Sequence, residues 1–221
     1  MDIETSSRTS SQASPRRQAR SATTRASLVE AALHEFAAQG FEAASTRAIA
    51  RAAGTQQPQI NYHFDSKEAL WKAALDHLFQ RLDESIERHA AELPEPTSAR
   101  DRVATIIRSF VRAAAELPEL NRIMVHESTV PSDRLRWIVE RHTRPRFEFV
   151  IGEWRTARAN GDVPSIDEGV LYYSLVGAAS LAYVNAPEAQ LLGYDTLAPS
   201  FIDAHADALV SMFLPEPPIS H

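Results

Sequence analysis

From Thr24 the apolar residues Leu28, Val29, Ala32, Leu33, Phe36 and Ala37 recur at three- and four-residue intervals and stop at Gly40. That spacing predicts a helix with one buried stripe. After Ser45, a hydroxyl suited to capping a helix start, Ile49, Ala50 and Ala53 share one face of a second short helix. Gly54 ends it, because glycine accepts the left-handed conformation a tight reversal needs. A third helix opens with Pro58 in its first turn, where a missing N–H is harmless. Asp65 or Ser66 caps a longer helix over 66–91, carrying Leu70, Ala74, Leu78, Phe79, Leu82 and Ile86. Thr97 can cap the next, which runs to Leu117 with Val103, Ile106, Ile107, Phe110 and Ala114 inside, before Pro118 interrupts. A short helix over 120–127 and a long one over 131–160 follow. Pro145 lies within the long one and predicts a kink or break, since it removes a donor and crowds the preceding turn. Two last helices cover 165–184 and 196–214. No stretch alternates like a strand and no repeat has solenoid spacing, so the expectation is an all-α fold of about nine helices.

Composition narrows the class. The 221 residues suffice for one or two domains. Cysteine is absent, which removes disulfides, thiolate zinc sites and a cysteine nucleophile, and fits a reducing cytoplasm. No basic-then-apolar leader pattern opens the chain, so no secretory signal is expected. The 19 uncharged residues 169–187 include three tyrosines, two serines and an asparagine and read as a buried helix, not a membrane span. Residues 1–22 are polar, with almost no large apolar side chains, and read as a disordered arm. Its Arg8, Arg16, Arg17 and Arg20, with Arg25 just beyond, belong either to a solvated leader or to an arm that tracks phosphates or enters a minor groove. The net charge of −6 divides unevenly: residues 1–72 hold 9 Lys+Arg against 7 Asp+Glu, the other 149 hold 14 against 22. The acidic mass therefore sits away from the N-terminal third.

That third also carries the most telling chemistry. The third helix is short, with only Ile60 and Phe64 to anchor it, and its other positions, Gln57, Gln59, Asn61, Tyr62 and His63, are hydrogen-bonding groups; Gln56 stands just before them. Glutamine and asparagine amides offer a donor and an acceptor together, the pattern that reads adenine in a major groove. Gln57 and Gln59 are the expected base readers. Thr46, Arg47 and Lys67 stand near helix N-termini, where free N–H groups favour phosphate, and Ser45 caps the helix before the turn.

In order and spacing, GFEAASTRAIARAAG, INYHF and DSKEAL, within residues 25–75, resemble the N-terminal domain of TetR/AcrR-type bacterial transcriptional regulators. The resemblance implies that the second helix of the pair enters the major groove, that the start of the first touches phosphate, and that the protein works as a dimer. It departs at Ala48, where an acidic residue would complete a capping box, and at Thr55, where a valine is common. Asn61 replaces a frequent phosphate-contacting tyrosine, and Tyr62 and His63 read as backbone contacts. The implied organisation is an arm (1–22), a helix-turn-helix domain (23–70), a helical ligand and dimerisation domain (71–215) and a tail (216–221).

In the larger domain Phe110, Met124, His126, Trp137, Arg141, His142 and Tyr172 are candidates to line an effector pocket, although aromatic residues at helical spacing also serve as plain core. Tyr173, Gly177, Ser180 and Leu181, with Phe201, Leu209, Met212 and Phe213, are candidates for a four-helix dimer interface of the resembled kind. No cofactor is expected. The eight histidines lack zinc-site pairing, and no phosphate loop or serine elbow argues for an enzyme. The expected function is a repressor released from a palindromic operator by an unidentified small molecule. Two alternatives remain: a ligand-independent DNA-binding dimer, and an enzyme or carrier with a vestigial DNA domain.

Overall fold

The computed structural model describes residues 15–215, and all regular structure among them is helical. The order is α1 (Pro15–Ala43), α2 (Thr46–Ala52), α3 (Pro58–His63), α4 (Lys67–Ala91), α5 (Ala99–Glu116), α6 (Pro118–Ser128), α7 (Asp133–Ile138), a π-helical turn (Val139–Thr143), α8 (Arg144–Ala159), α9 (Glu168–Val184), α10 (Ala186–Leu191) and α11 (Pro199–Phe213). α1 begins nine residues before the expected Thr24, so 15–22 are helical and not part of a disordered arm. The expectations for 1–14 and for the tail 216–221 lie outside the described residues. Gly40, at φ 70°, interrupts α1 and turns its last residues aside.

Side-chain capping sets several helix starts. Ser66, Ser98 and Ser132 each accept a backbone N–H of the first turn. α5 is capped by Ser98 and not by Thr97; Asp101 returns a bond to the Ser98 N–H and also accepts the Thr97 hydroxyl. Pro145 neither breaks nor sharply ends its helix. The π turn ahead of it admits one extra residue, with the Arg144 N–H donating to the Val139 carbonyl, and Pro145 then falls in the first turn of α8.

Two cores result. The first joins Leu28, Leu33 and Phe36 of α1, Ile49 of α2, Ile60 of α3 and Leu70, Trp71, Leu75 and Leu78 of α4, and reaches Ile123 of α6 and Ile138 of α7. The second joins Val103 and Ile107 of α5 with Ile151 and Trp154 of α8, Leu171, Leu175 and Tyr183 of α9 and Leu209 of α11. Phe110 packs against both. Each such side chain contributes roughly 1.5–3 kcal/mol on burial. α9 is not buried all round: Leu171, Leu175, Ala179 and Tyr183 face inward, while Val170, Tyr173, Gly177 and Leu181 face out. α10, which no expectation covered, buries none of its residues.

Candidate nucleic-acid interface

The turn between α2 and α3 is built from backbone bonds. Gly54, at φ 66°, donates to the Arg51 carbonyl and Thr55 donates to that of Ala50, the paired closure of a Schellman motif. At the other end of α2, Ser45 Oγ accepts the Ala48 N–H at 3.3 Å. The acidic partner absent at Ala48 is supplied from α1: Glu35 Oε1 accepts the Ser45 N–H at 2.9 Å. The capping box is thereby completed across two helices, and the only sequence signal for it was its missing half.

The polar residues differ in how they are held. Gln57 is clasped: its Oε1 accepts from Arg47 Nε at 3.1 Å and its Nε2 donates to Thr46 Oγ1 at 3.2 Å. This ties the approach to α3 to the first turn of α2, a contact the sequence pattern did not reveal. Gln56, Gln59 and Asn61 are exposed, and among the described residues their amides have no intramolecular side-chain bond of that kind. Tyr62 is 65% exposed and meets His63 edge-on at 4.9 Å. His63 is half-buried and leans on Phe64, which in turn lies under the Arg25 guanidinium. Lys67 donates to the Glu42 carbonyl at 3.2 Å and rides over the Phe41 ring, so it is braced at the end of α1. Ile60 anchors the whole face to the first core.

The seven pocket candidates are not gathered around one space. Arg141 donates to Asp76 on α4, and the His142 ring stacks on Phe79 at 4.2 Å with Nε2 3.0 Å from Asp76. Burial pushes the His142 pKa down to about 4 in spite of that carboxylate. Trp137 lies 5.6 Å from Trp71 with Lys72 and Arg141 over its ring. Phe110 and Met124 pack against the first core, His126 is exposed beside Gly40, and Tyr172 meets Phe147 edge-on, its pKa raised by burial. None of the seven lines the interior cavity of the second core. That cavity is bounded by Val103, Ile107, Val150, Trp154, Leu171 and Phe213, among others, and has a volume of about 10 Å³.

The dimer candidates divide. Tyr173, Gly177, Leu181 and Met212 are exposed, Phe201 and Phe213 are half-buried, and Ser180 and Leu209 point into the protomer. Ser180 spends its hydroxyl on the Val176 carbonyl. Ser200, Ala204 and Ala208 are also exposed and line up along α11 with Met212.

A capped helix, a Schellman turn and a short second helix with outward amides, set on a three-helix core, form a helix-turn-helix DNA-binding domain attached to an all-helical body. Residues 28–74 match the family model for bacterial regulatory proteins of the tetR family. The HTH-type transcriptional repressor NicS of Pseudomonas putida is 29% identical over 106 residues, which is 48% of each chain, so the match spans about half of that relative. Among solved structures, AibR in complex with isovaleryl coenzyme A and operator DNA aligns with a TM-score of 0.67 at 18% identity, over 87% of this chain and 98% of that one. The superantigen PfiT aligns at 0.62 and 22% identity over 88% and 97%. Likeness at these identities carries the fold. The N-terminal domain is thus of the tetR type, carried on a helical body whose fold these solved structures share.

Proposed function

We propose that the protein is a sequence-specific transcriptional repressor that binds a palindromic operator as a homodimer and is released by a small-molecule effector in the cytoplasm. The observation that carries DNA reading is the free amide set on and beside α3: Gln56, Gln59 and Asn61 face outward on a helix anchored from behind by Ile60. Gln59 and Asn61 read bases. Arg47, held by Gln57, and Thr46, Tyr62, His63 and Lys67 meet the backbone. Residues 23–70 form the reading unit and 71–215 the sensing and pairing unit.

Pairing uses the exposed face of α9 (Val170, Tyr173, Gly177, Leu181) and the stripe Ser200, Ala204, Ala208 and Met212 of α11, bordered by Asp203 and Asp207, where small residues let helices approach closely. Release is linkage: an effector that prefers a conformation with badly spaced reading helices weakens DNA binding by its differential affinity. AibR was crystallised with isovaleryl coenzyme A and operator DNA, and the apolar lining of the small cavity in the second core, with Val103, Ile107, Val150 and Leu171, makes acyl esters the first class of effector to test. No helix among the described residues is long and apolar enough to cross a membrane.

One observation favours a second reading, a DNA-binding dimer with no effector: the cavity of about 10 Å³ holds no more than a single water. The deciding experiment has two arms. A mobility shift on palindromes from the DNA beside its own coding region tests operator binding. Thermal unfolding with acyl-coenzyme A esters of graded chain length tests sensing, since a ligand that binds only the folded state raises the midpoint. Shifted duplex without any stabilising ester supports the effector-free reading, and no shifted duplex removes both.

A further inference from the structure

The end of α1 is held against α6 and α7 by Arg134. Arg134, in the first turn of α7, places Nη1 3.2 Å from Glu42 Oε1, on the last turn of α1. Its Nε lies 3.1 Å from Glu127 Oε2, at the end of α6. Its guanidinium covers the Phe41 ring at 4.0 Å, while Lys67 covers that ring at 4.8 Å. Phe41 stacks on Phe36 and meets Trp71 edge-on, so the ring is continuous with the first core beneath α2 and α3.

The two carboxylates are not equivalent. Glu42 is 84% exposed, and a pair there gains little by itself. Glu127 is 4% exposed, and Arg134 is its ion-pair partner among the described residues. A buried carboxylate that loses its cation is left desolvated and uncompensated, which holds the guanidinium in place far more firmly than the surface pair could. The planar fork can serve Glu127, Glu42 and the Phe41 face together, which an ammonium cannot. α6 is seated against the same spot, since a side chain at Gly40 would meet the His126 ring at 3.3 Å.

We propose that Arg134 is the positioning residue that fixes the orientation of the helix-turn-helix on the helical body, and through it the half-site spacing the dimer accepts. The proposal rests on the reading of the chain as a dimeric DNA reader. Any rearrangement that carries α7 away from α1 must either strand Glu127 or move α6 with it, so the reading head has a defined seat and a defined way of leaving it. Base preference belongs to α3 and is set independently of this contact.

The test is selection from a random duplex pool, followed by measurement of affinity for the selected half-sites placed at a series of centre-to-centre spacings. The wild-type chain should prefer one spacing sharply. Arg134→Met should keep the half-site sequence and flatten the preference among spacings by about 10-fold, within the range of ordinary coupling between sites. Arg134→Lys should recover part of it. Glu42→Gln leaves the buried pair and the Phe41 contact intact and so keeps the fold even where Arg134→Met does not; removing only the exposed pair, it should flatten the preference in the same direction by about 2-fold. Arg136→Met, which removes an exposed charge whose ion-pair partner among the described residues is Asp133 in its own helix, should change nothing. Folded Arg134→Met and Glu42→Gln dimers with wild-type spacing sharpness would overturn the proposal. A wild-type chain that enriches no sequence at all would overturn the reading beneath it as well.

Discussion

Around α3 the amides separate into those the protein already uses and those left for a partner. Gln59→Ala should lower discrimination at one base pair of each half-site by about 1–3 kcal/mol, because an outward amide is lost. Gln57→Ala should act differently. Its amide holds Arg47 and Thr46, so its loss should weaken operator and random duplexes alike, as a loosened phosphate contact does. Titrations of each variant on operator and on scrambled DNA separate the two patterns; base-specific loss in Gln57→Ala would return that residue to the reading set. His142 offers a test in pH. Its folded value near 4 lies below the ordinary 6.5, so on acidification the unfolded chain takes up the proton first. The stability this site supports is complete above pH 6.5 and is lost as pH falls toward 4. Denaturant melts between pH 7.5 and 5 should show a loss of up to about 2 kcal/mol that His142→Gln removes. A wild-type slope retained in the variant would assign it to another group.

The helices themselves were largely legible because their starts are written in short side chains and their stops in glycine and proline: Ser45, Ser66, Gly54 and Pro118 all mark boundaries. The failures have equally local causes. Thr97 and Ser98 are adjacent hydroxyls, and only the position of Asp101 in three dimensions chooses between them. The sequence 186–191 is too short for periodicity to register. α9 is apolar all round, so its pattern does not say which side meets the protomer, and Ser180 was assigned to the wrong face. Among the effector candidates, Arg141 and His142 face Asp76 on α4, and pairing of that kind is invisible along a single chain. The cross-helix cap is a prediction at this scale. Ser45→Ala should destabilise the protein by about 1 kcal/mol. Glu35→Ala, which strips the partner from an exposed N–H, should cost about half that or less, and a double-mutant cycle on thermal unfolding should show the two coupled.

On the scale of the whole molecule, the proposed reading sets the slightly basic N-terminal third toward DNA and the acidic body away from it, with the exposed apolar residues of α9 and α11 as the proposed pairing surface. Leu181→Asp places a charge on that surface and should weaken dimerisation by about 2 kcal/mol or more; sedimentation should show monomer at concentrations where the wild-type chain is paired, and operator affinity should fall with it. A variant that stays dimeric would move the interface elsewhere. The junction between reading head and body has one more property, and it is optical. Two of the three indoles in the chain, Trp71 and Trp137, lie 5.6 Å apart at that seam, the first wholly buried and the second flanked by the cations of Lys72 and Arg141. Emission from such a pair depends on the field and the water around it, so a small displacement of α7 changes the colour and lifetime of the protein's own fluorescence. With no dye required, the unmodified chain reports the placement of α7 against α4 to a spectrometer.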